Sequence, residues 1–222
     1  MKDYSKLDYE KKRVKKSKRT TQIVVLGSSK AICTKEAYNM AFEVGQELAK
    51  RGVVTMTGGG HGVMEATLKG AKLEGGLTIA IIPWENLYKV NDYADYVVAT
   101  GIGWSRNSIN INSADGCIVI HGGAGTLNEA TYAYMMEKPV VALTPSGGVA
   151  EEISDRFFDV RETESMVGVS SPKEAVEKIL KLVGKRSKKD YESQKDNELL
   201  DAEESKNRHV KIKNKDAKNK SK

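Results

Sequence analysis

The stretch CIVIHGGAGTLNEA, residues 117–130, reads as an apolar strand that breaks at a glycine-rich turn and resumes as a helix. Cys117-Ile118-Val119-Ile120 is short and apolar throughout, the pattern of a strand buried on both faces, and such strands belong to parallel sheets. Gly122, Gly123 and Gly125 then let backbone N–H groups approach a ligand without a Cβ in the way. The same junction occurs twice more, with Gly27-Ser28-Ser29 after Ile23–Leu26 and Gly58-Gly59-Gly60-His61-Gly62 after Val53–Met56.

Outward from these junctions, short β-branched runs alternate with helical periodicity. Further strands are expected at Thr78–Ile82, Tyr96–Ala99 and Val140–Leu143, the last opened by Pro139. A helix from about Thr34 to Lys50 sets Ala37, Met40, Ala41, Val44 and Leu48 on one face and ends at Gly52. Another carries Val63, Ala66, Thr67 and Gly70 and stops at Gly75-Gly76; Ser105 is placed to cap a short one running to about Ser113. Thr126 to Met136 reads as a helix, and Ser171-Pro172-Lys173-Glu174 as the start of a last one that Gly184 stops. The fold expected is α/β, a Rossmann-like three-layer arrangement around a central parallel sheet.

The charge is unevenly distributed. The chain has 222 residues and a formal net charge of +6, but residues 1–20 hold nine basic and three acidic side chains and residues 185–222 hold thirteen and eight. Residues 21–184 are therefore net acidic. Three segments follow: a basic flexible tail at 1–20, an α/β domain at 21–184 and a charged flexible tail at 185–222. Segments this polar bury too little surface to offset the entropy of ordering. Nucleic acid is expected to bind only weakly, through the tails. The sequence has neither a long apolar run nor a leader pattern, so the expected location is the cytoplasm, with no membrane contact. Cys33 and Cys117 form no disulfide framework, and His61, His121 and His209 lack metal-ligand spacing, so no metal is expected.

Three glycine loops at the carboxyl ends of strands, each leading into a helix N-terminus, suit a phosphate. Neither Gly-x-Gly-x-x-Gly after the first strand nor Gly-x4-Gly-Lys-Ser/Thr occurs, which disfavours a nicotinamide dehydrogenase and a P-loop ATPase. Arg106 is the sole lysine or arginine between Val90 and Glu137, and its fork can grip a phosphate or ribose hydroxyls. Glu129 has two readings. Thr126-x-x-Glu129 fits a capping box with Thr126 at the N-cap; equally, a carboxylate beside a sugar stabilises the oxocarbenium-like transition state of glycosidic cleavage. Trp104 can stack on a base or on its neighbours. Glu65, in the first turn after the second glycine loop, suits the helix dipole.

Together, Gly27-Ser28-Ser29, the run Gly58 to Glu65, Arg106-Asn107 and the run Gly122 to Glu129 resemble the LOG (Lonely guy) superfamily, long mislabelled as lysine decarboxylases. Gly103-Trp104-Ser105-Arg106-Asn107 is similar to the branch holding the molybdenum-cofactor carrier proteins. The resemblance implies a small-molecule ligand, a nucleoside 5′-monophosphate or other phosphoribosyl compound. It also implies hydrolysis of the N-glycosidic bond to free base and ribose 5-phosphate, and a homodimer or higher homo-oligomer. It makes Arg106 and Glu129 catalytic. It gives the ligand to Gly27, Ser28, Ser29, Gly58, Gly59, Gly60, Gly62, Met64, Glu65, Asn107, Gly122, Gly123, Gly125 and Thr126. No cofactor is required. The alternative is a non-catalytic carrier that binds a nucleotide or the molybdenum (molybdopterin) cofactor. Two departures favour it: His121 stands where the enzymatic branch has proline, and Asn107 where it has lysine. A third class, DNA or RNA binding as in the related DNA-processing protein A, rests on the tails alone.

Overall fold

The computed structural model describes residues 19–160 and 166–187. Nearly all of the expected tails lies outside the described residues. The strands are β1 (Gln22–Gly27), β2 (Val54–Thr57), β3 (Thr78–Ile82), β4 (Tyr96–Ala99), β5 (Gly116–Ile120), β6 (Val140–Leu143) and β7 (Val167–Val169). They form one parallel sheet in the order β4-β3-β2-β1-β5-β6-β7. The helices are α1 (Lys35–Lys50), α2 (Val63–Leu73), α3 (Arg106–Asn112), α4 (Ala124–Met135), α5 (Gly148–Ile153) and α6, residues 172–187. The chain is thus a Rossmann-like α/β domain.

Alternation along the strands divides the core between two faces. Ile23, Val25, Ile118, Ile120, Val141 and Leu143 pack with α1, α2 and α6, whereas Val24, Leu26, Cys117, Val119, Val140 and Ala142 pack with α3, α4 and α5. Thr34 caps α1, its side chain accepting the Ala37 N–H at 3.0 Å, and such a bond is worth about 1 kcal/mol. Gly52 and Gly75 adopt the left-handed conformation expected of them.

Strand order carries the functional consequence. From β1 the chain steps outward through β2, β3 and β4, then returns to lay β5 on the other side of β1, pairing Gly27 with Ile120. The loops leaving β1 and β5 at this switch point diverge to opposite faces and open a crevice at the carboxyl edge.

Three local readings need correction. Helix α4 begins at Ala124 behind Gly123, which makes no side-chain cap bond, so Thr126 already lies inside the helix and is no N-cap. Ser105 does not cap α3 either: its backbone is helical and ends a 3-10 turn, Gly103–Ser105. Residue 184 does not stop α6, which runs on to 187. The start of α6 is as expected: Ser171 Oγ accepts the Glu174 N–H at 3.3 Å and the helix opens at residue 172, while the Glu174 carboxylate accepts from Ser170, through the backbone N–H at 2.9 Å and the hydroxyl at 2.8 Å. The sequence reading also omits β7 and α5.

Candidate active site

The loop after β2 is fixed before any ligand arrives. Thr57 Oγ1 accepts the Gly59 N–H at 3.1 Å, and Asn91, far along the chain, donates its amide to Gly60 O at 2.8 Å. Asn91 carries no local signal and was not anticipated from sequence. A Cβ on Gly58 would lie 2.5 Å from Arg106 Nη1 and 3.0 Å from Met64 Sδ, so the missing side chain makes the space the guanidinium fills. Gly62, at φ +87°, lies against the Ser28 and Ser29 backbone and thereby joins the first two loops.

Arg106 opens α3, Glu129 lies in α4, and the crevice brings them together. Both are buried, Arg106 to 7% exposure, and Nη1 stands 3.5 Å from Glu129 Oε1. At that distance the pair is an ion pair without a good hydrogen bond. Asn110, one turn after Arg106, donates its amide to the same Oε1 at 2.7 Å. This residue the sequence reading missed; the i, i+4 spacing from Arg106 was the available signal. Glu129 therefore has no capping role: its carboxylate serves a buried network between two helices.

Burial pushes the Glu129 carboxyl above the ordinary carboxylate range, against the opposing pull of Arg106 and the Asn110 amide. Burial likewise lowers Arg106, and Glu129 pulls it back; a guanidinium nevertheless stays charged. Several buried polar atoms have no partner in the crevice or at its rim: Arg106 Nε, Asn110 Oδ1, Ser28 Oγ and His121 Nδ1. Buried polar groups are ordinarily satisfied, so a cluster of unfilled ones points to a ligand. Such a site can accept an anion or hydroxyls on Arg106 and present a carboxylate poised for proton exchange.

The other expected residues are distributed around this centre. Gly27 packs against Ile120 O and Val63, while Met64 walls the β2 loop with its thioether near Gly58 and Gly60. Gly122, at φ +106°, abuts Thr126, and Gly123 abuts Ile32. His121 holds a left-handed φ of +54°, uncommon for a side chain with a Cβ. Glu65 stands apart, bonded to His61 Nδ1 at 2.9 Å. Asn107 donates to Asn128 Oδ1 at 2.9 Å and leaves Glu129 alone. Cys117 is a core thiol, pushed by burial up to about 12. A hollow of about 710 Å³ is lined by Asn107, Trp104, Gly125, Asn128 and Tyr132 but not by Arg106 or Glu129. It lies beside the buried pair, on the outer side of α3 and α4.

The fold and the crevice define a class: a Rossmann-like domain with glycine loops and a buried arginine–glutamate pair at its switch point. Within that class the chain belongs to the SLOG cluster4 family, whose profile matches residues 20–176. An uncharacterised protein of Archaeoglobus fulgidus is 43% identical over 124 residues, 56% of this chain and 80% of that one. The cytokinin riboside 5′-monophosphate phosphoribohydrolase of Mycobacterium tuberculosis is 36% identical over 121 residues, 50% of this chain and 65% of the relative. The chain thus spans just under two thirds of that enzyme's length. Among solved structures, the molybdenum cofactor binding protein of Rippkaea orientalis superposes with a TM-score of 0.65 at 34% identity, covering 75% of this chain and 99% of its own. Among the described residues no helix is long and apolar enough to cross a membrane.

Proposed function

We propose that this protein binds a nucleoside 5′-monophosphate at the carboxyl edge of the sheet and hydrolyses its N-glycosidic bond, releasing free base and ribose 5-phosphate. The observation that carries the reading is the buried Arg106–Glu129 pair, with the guanidinium Nε unpartnered and the carboxylate raised in pKa. The phosphate lies on the N–H groups of the glycine loops and the first turn of α4. Arg106 grips the phosphate or the ribose hydroxyls. As the bond from C1′ to the base nitrogen breaks, its electron pair leaves with the base, which ends up with the proton that the attacking water gives up. Glu129 stabilises the positive sugar and orients the water whose oxygen bonds to C1′. The chemistry asks for no metal or organic cofactor, and the protein is expected to work as a homodimer or higher homo-oligomer.

A second reading has its own support: the Rippkaea protein, named for molybdenum cofactor binding, matches three quarters of this chain, and His121 and Asn107 depart from the enzymatic pattern. In that case the crevice holds a phosphorylated pterin cofactor as cargo. Incubation with AMP, GMP and CMP, with free base measured by chromatography, tests the first reading. Release that Glu129→Gln abolishes supports it. No release, with molybdopterin found by mass spectrometry on the purified protein, replaces it with the carrier.

A further inference from the structure

The hollow between α3 and α4 has a chemistry of its own. Trp104 is 80% exposed, and its ring edge lies 3.6 Å from where a Cβ on Gly125 would stand, beside the first turn of α4. An indole left so open gains nothing from the core, and Tyr132 lines the same space. On the hollow's lining, Asn107 Nδ2 donates to Asn128 Oδ1 at 2.9 Å. An asparagine pair joined this way uses one donor and one acceptor and leaves an acceptor on one amide and a donor on the other. The result holds whichever way the two amides are turned. Here the remaining pair is Asn107 Oδ1 and Asn128 Nδ2, and Asn107 is almost fully buried beside Arg106.

An aromatic face, an adjoining acceptor–donor pair and about 710 Å³ of space fit one kind of molecule. We infer that this hollow is the subsite for the heterocycle of the ligand, a planar fused ring such as a purine or pterin that carries a hydrogen-bond donor beside an acceptor. Trp104 stacks on the ring, and the Asn107–Asn128 pair reads its polar edge. The inference rests on the phosphoribosyl reading only for where the phosphate lies, since the ring would be recognised in the same way in an enzyme or a carrier. Trp104 and Asn128 would then set specificity without touching the Arg106–Glu129 centre.

Calorimetry on the full chain tests this with two probes: ribose 5-phosphate, which has no base, and formycin 5′-monophosphate, a purine-like nucleotide whose carbon–carbon glycosidic bond does not hydrolyse. The expected result is that formycin monophosphate binds at least tenfold more tightly than ribose 5-phosphate. Trp104→Ala should remove on the order of tenfold of that advantage, and Asn128→Leu a smaller part, while ribose 5-phosphate affinity stays unchanged. Equal affinity for the two probes, or a ratio that neither substitution alters, overturns the inference and leaves the phosphate reading intact. If Trp104→Ala leaves the ratio unchanged and instead splits an oligomer in sedimentation, the hollow is covered by a second copy and the inference fails. Should ribose 5-phosphate not bind while free adenine or a free pterin binds in a Trp104-dependent way, the subsite stands and the phosphoribosyl reading falls.

Discussion

The two edges of the sheet satisfy their charged groups in opposite ways. At the amino edge, Asp115 accepts both Arg19 guanidinium nitrogens, at 3.0 and 2.6 Å, and the Gln22 N–H at 2.9 Å. Lys138 donates to the carbonyls of Ile111, Asn112 and Ala114 at 2.6, 3.1 and 2.5 Å, closing the C-terminal end of α3. Arg186, in the last turn described, donates to Glu137 O and Met136 O and closes α4 in the same way. At the carboxyl edge, Arg106 has one contact at 3.5 Å and an empty Nε, and Ser28, Asn110 and His121 hold unpartnered atoms. An ionic cluster that stabilises a fold satisfies its members from within. A cluster left unfilled costs stability, and a ligand that completes it recovers that cost.

The sharpest way to break this contrast is to change each edge and ask which property moves. Under the proposed chemistry, Glu129→Gln should lower kcat by about a thousandfold and Arg106→Lys by about a hundredfold, with folding intact by circular dichroism. A folded Glu129→Gln variant with unaltered hydrolysis would remove the carboxyl edge from the chemistry. Lys138→Met should instead cost about 2 kcal/mol, by leaving three carbonyls without their donor. It should appear as a drop in Tm of several degrees, with ligand affinity unchanged; a parallel loss of affinity would show that the two edges are coupled.

Smaller effects sharpen the comparison through pH. Asn110 donates to the ionised form of Glu129, so Asn110→Leu should raise that carboxyl further. Activity that needs the carboxylate is lost as pH falls through its pKa. The acid limb of the rate profile should therefore move to higher pH. Asp115 has the opposite sign. Burial alone would raise it, but Arg19 and the Gln22 N–H outweigh burial and hold it low. Its contribution to stability is present above the unfolded pKa and is lost as pH falls through the lower folded value. Arg19→Ala should cost less than about 1 kcal/mol at neutral pH, since Arg19 is mostly exposed. The cost should vanish in urea titrations at a pH where Asp115 is protonated.

Much of the fold is legible in the sequence because β1, β2, β3, β5 and β6 are largely buried and read as short apolar runs; the edge strand β4 is half exposed and is marked instead by its β-branched and aromatic residues. Strand β7, Val167–Val169, has three residues with glycine at the centre and offers no run to read. The six residues of α5 are too few to show a periodicity. The capping reading of Glu129 fails for a different reason. Thr126-x-x-Glu129 is locally a sound capping box, but the backbone of Gly123 lets α4 start at Ala124, and the carboxylate turns to Asn110 and Arg106 on another helix.

By itself the sequence determined the parallel α/β class, the three glycine junctions that open the crevice, and two side chains, Arg106 and Glu129, to be weighed as its chemistry. The tertiary structure decided which charges have partners. Arg106 could have been a surface ion pair and is instead buried with its Nε unpartnered, while Lys138, an ordinary lysine in sequence, closes a helix with three bonds. The physical reason is range. A turn or a helix face is encoded by neighbours a few residues apart, whereas satisfying a buried polar group takes atoms from separate elements brought within about 3 Å, and no local pattern records that meeting.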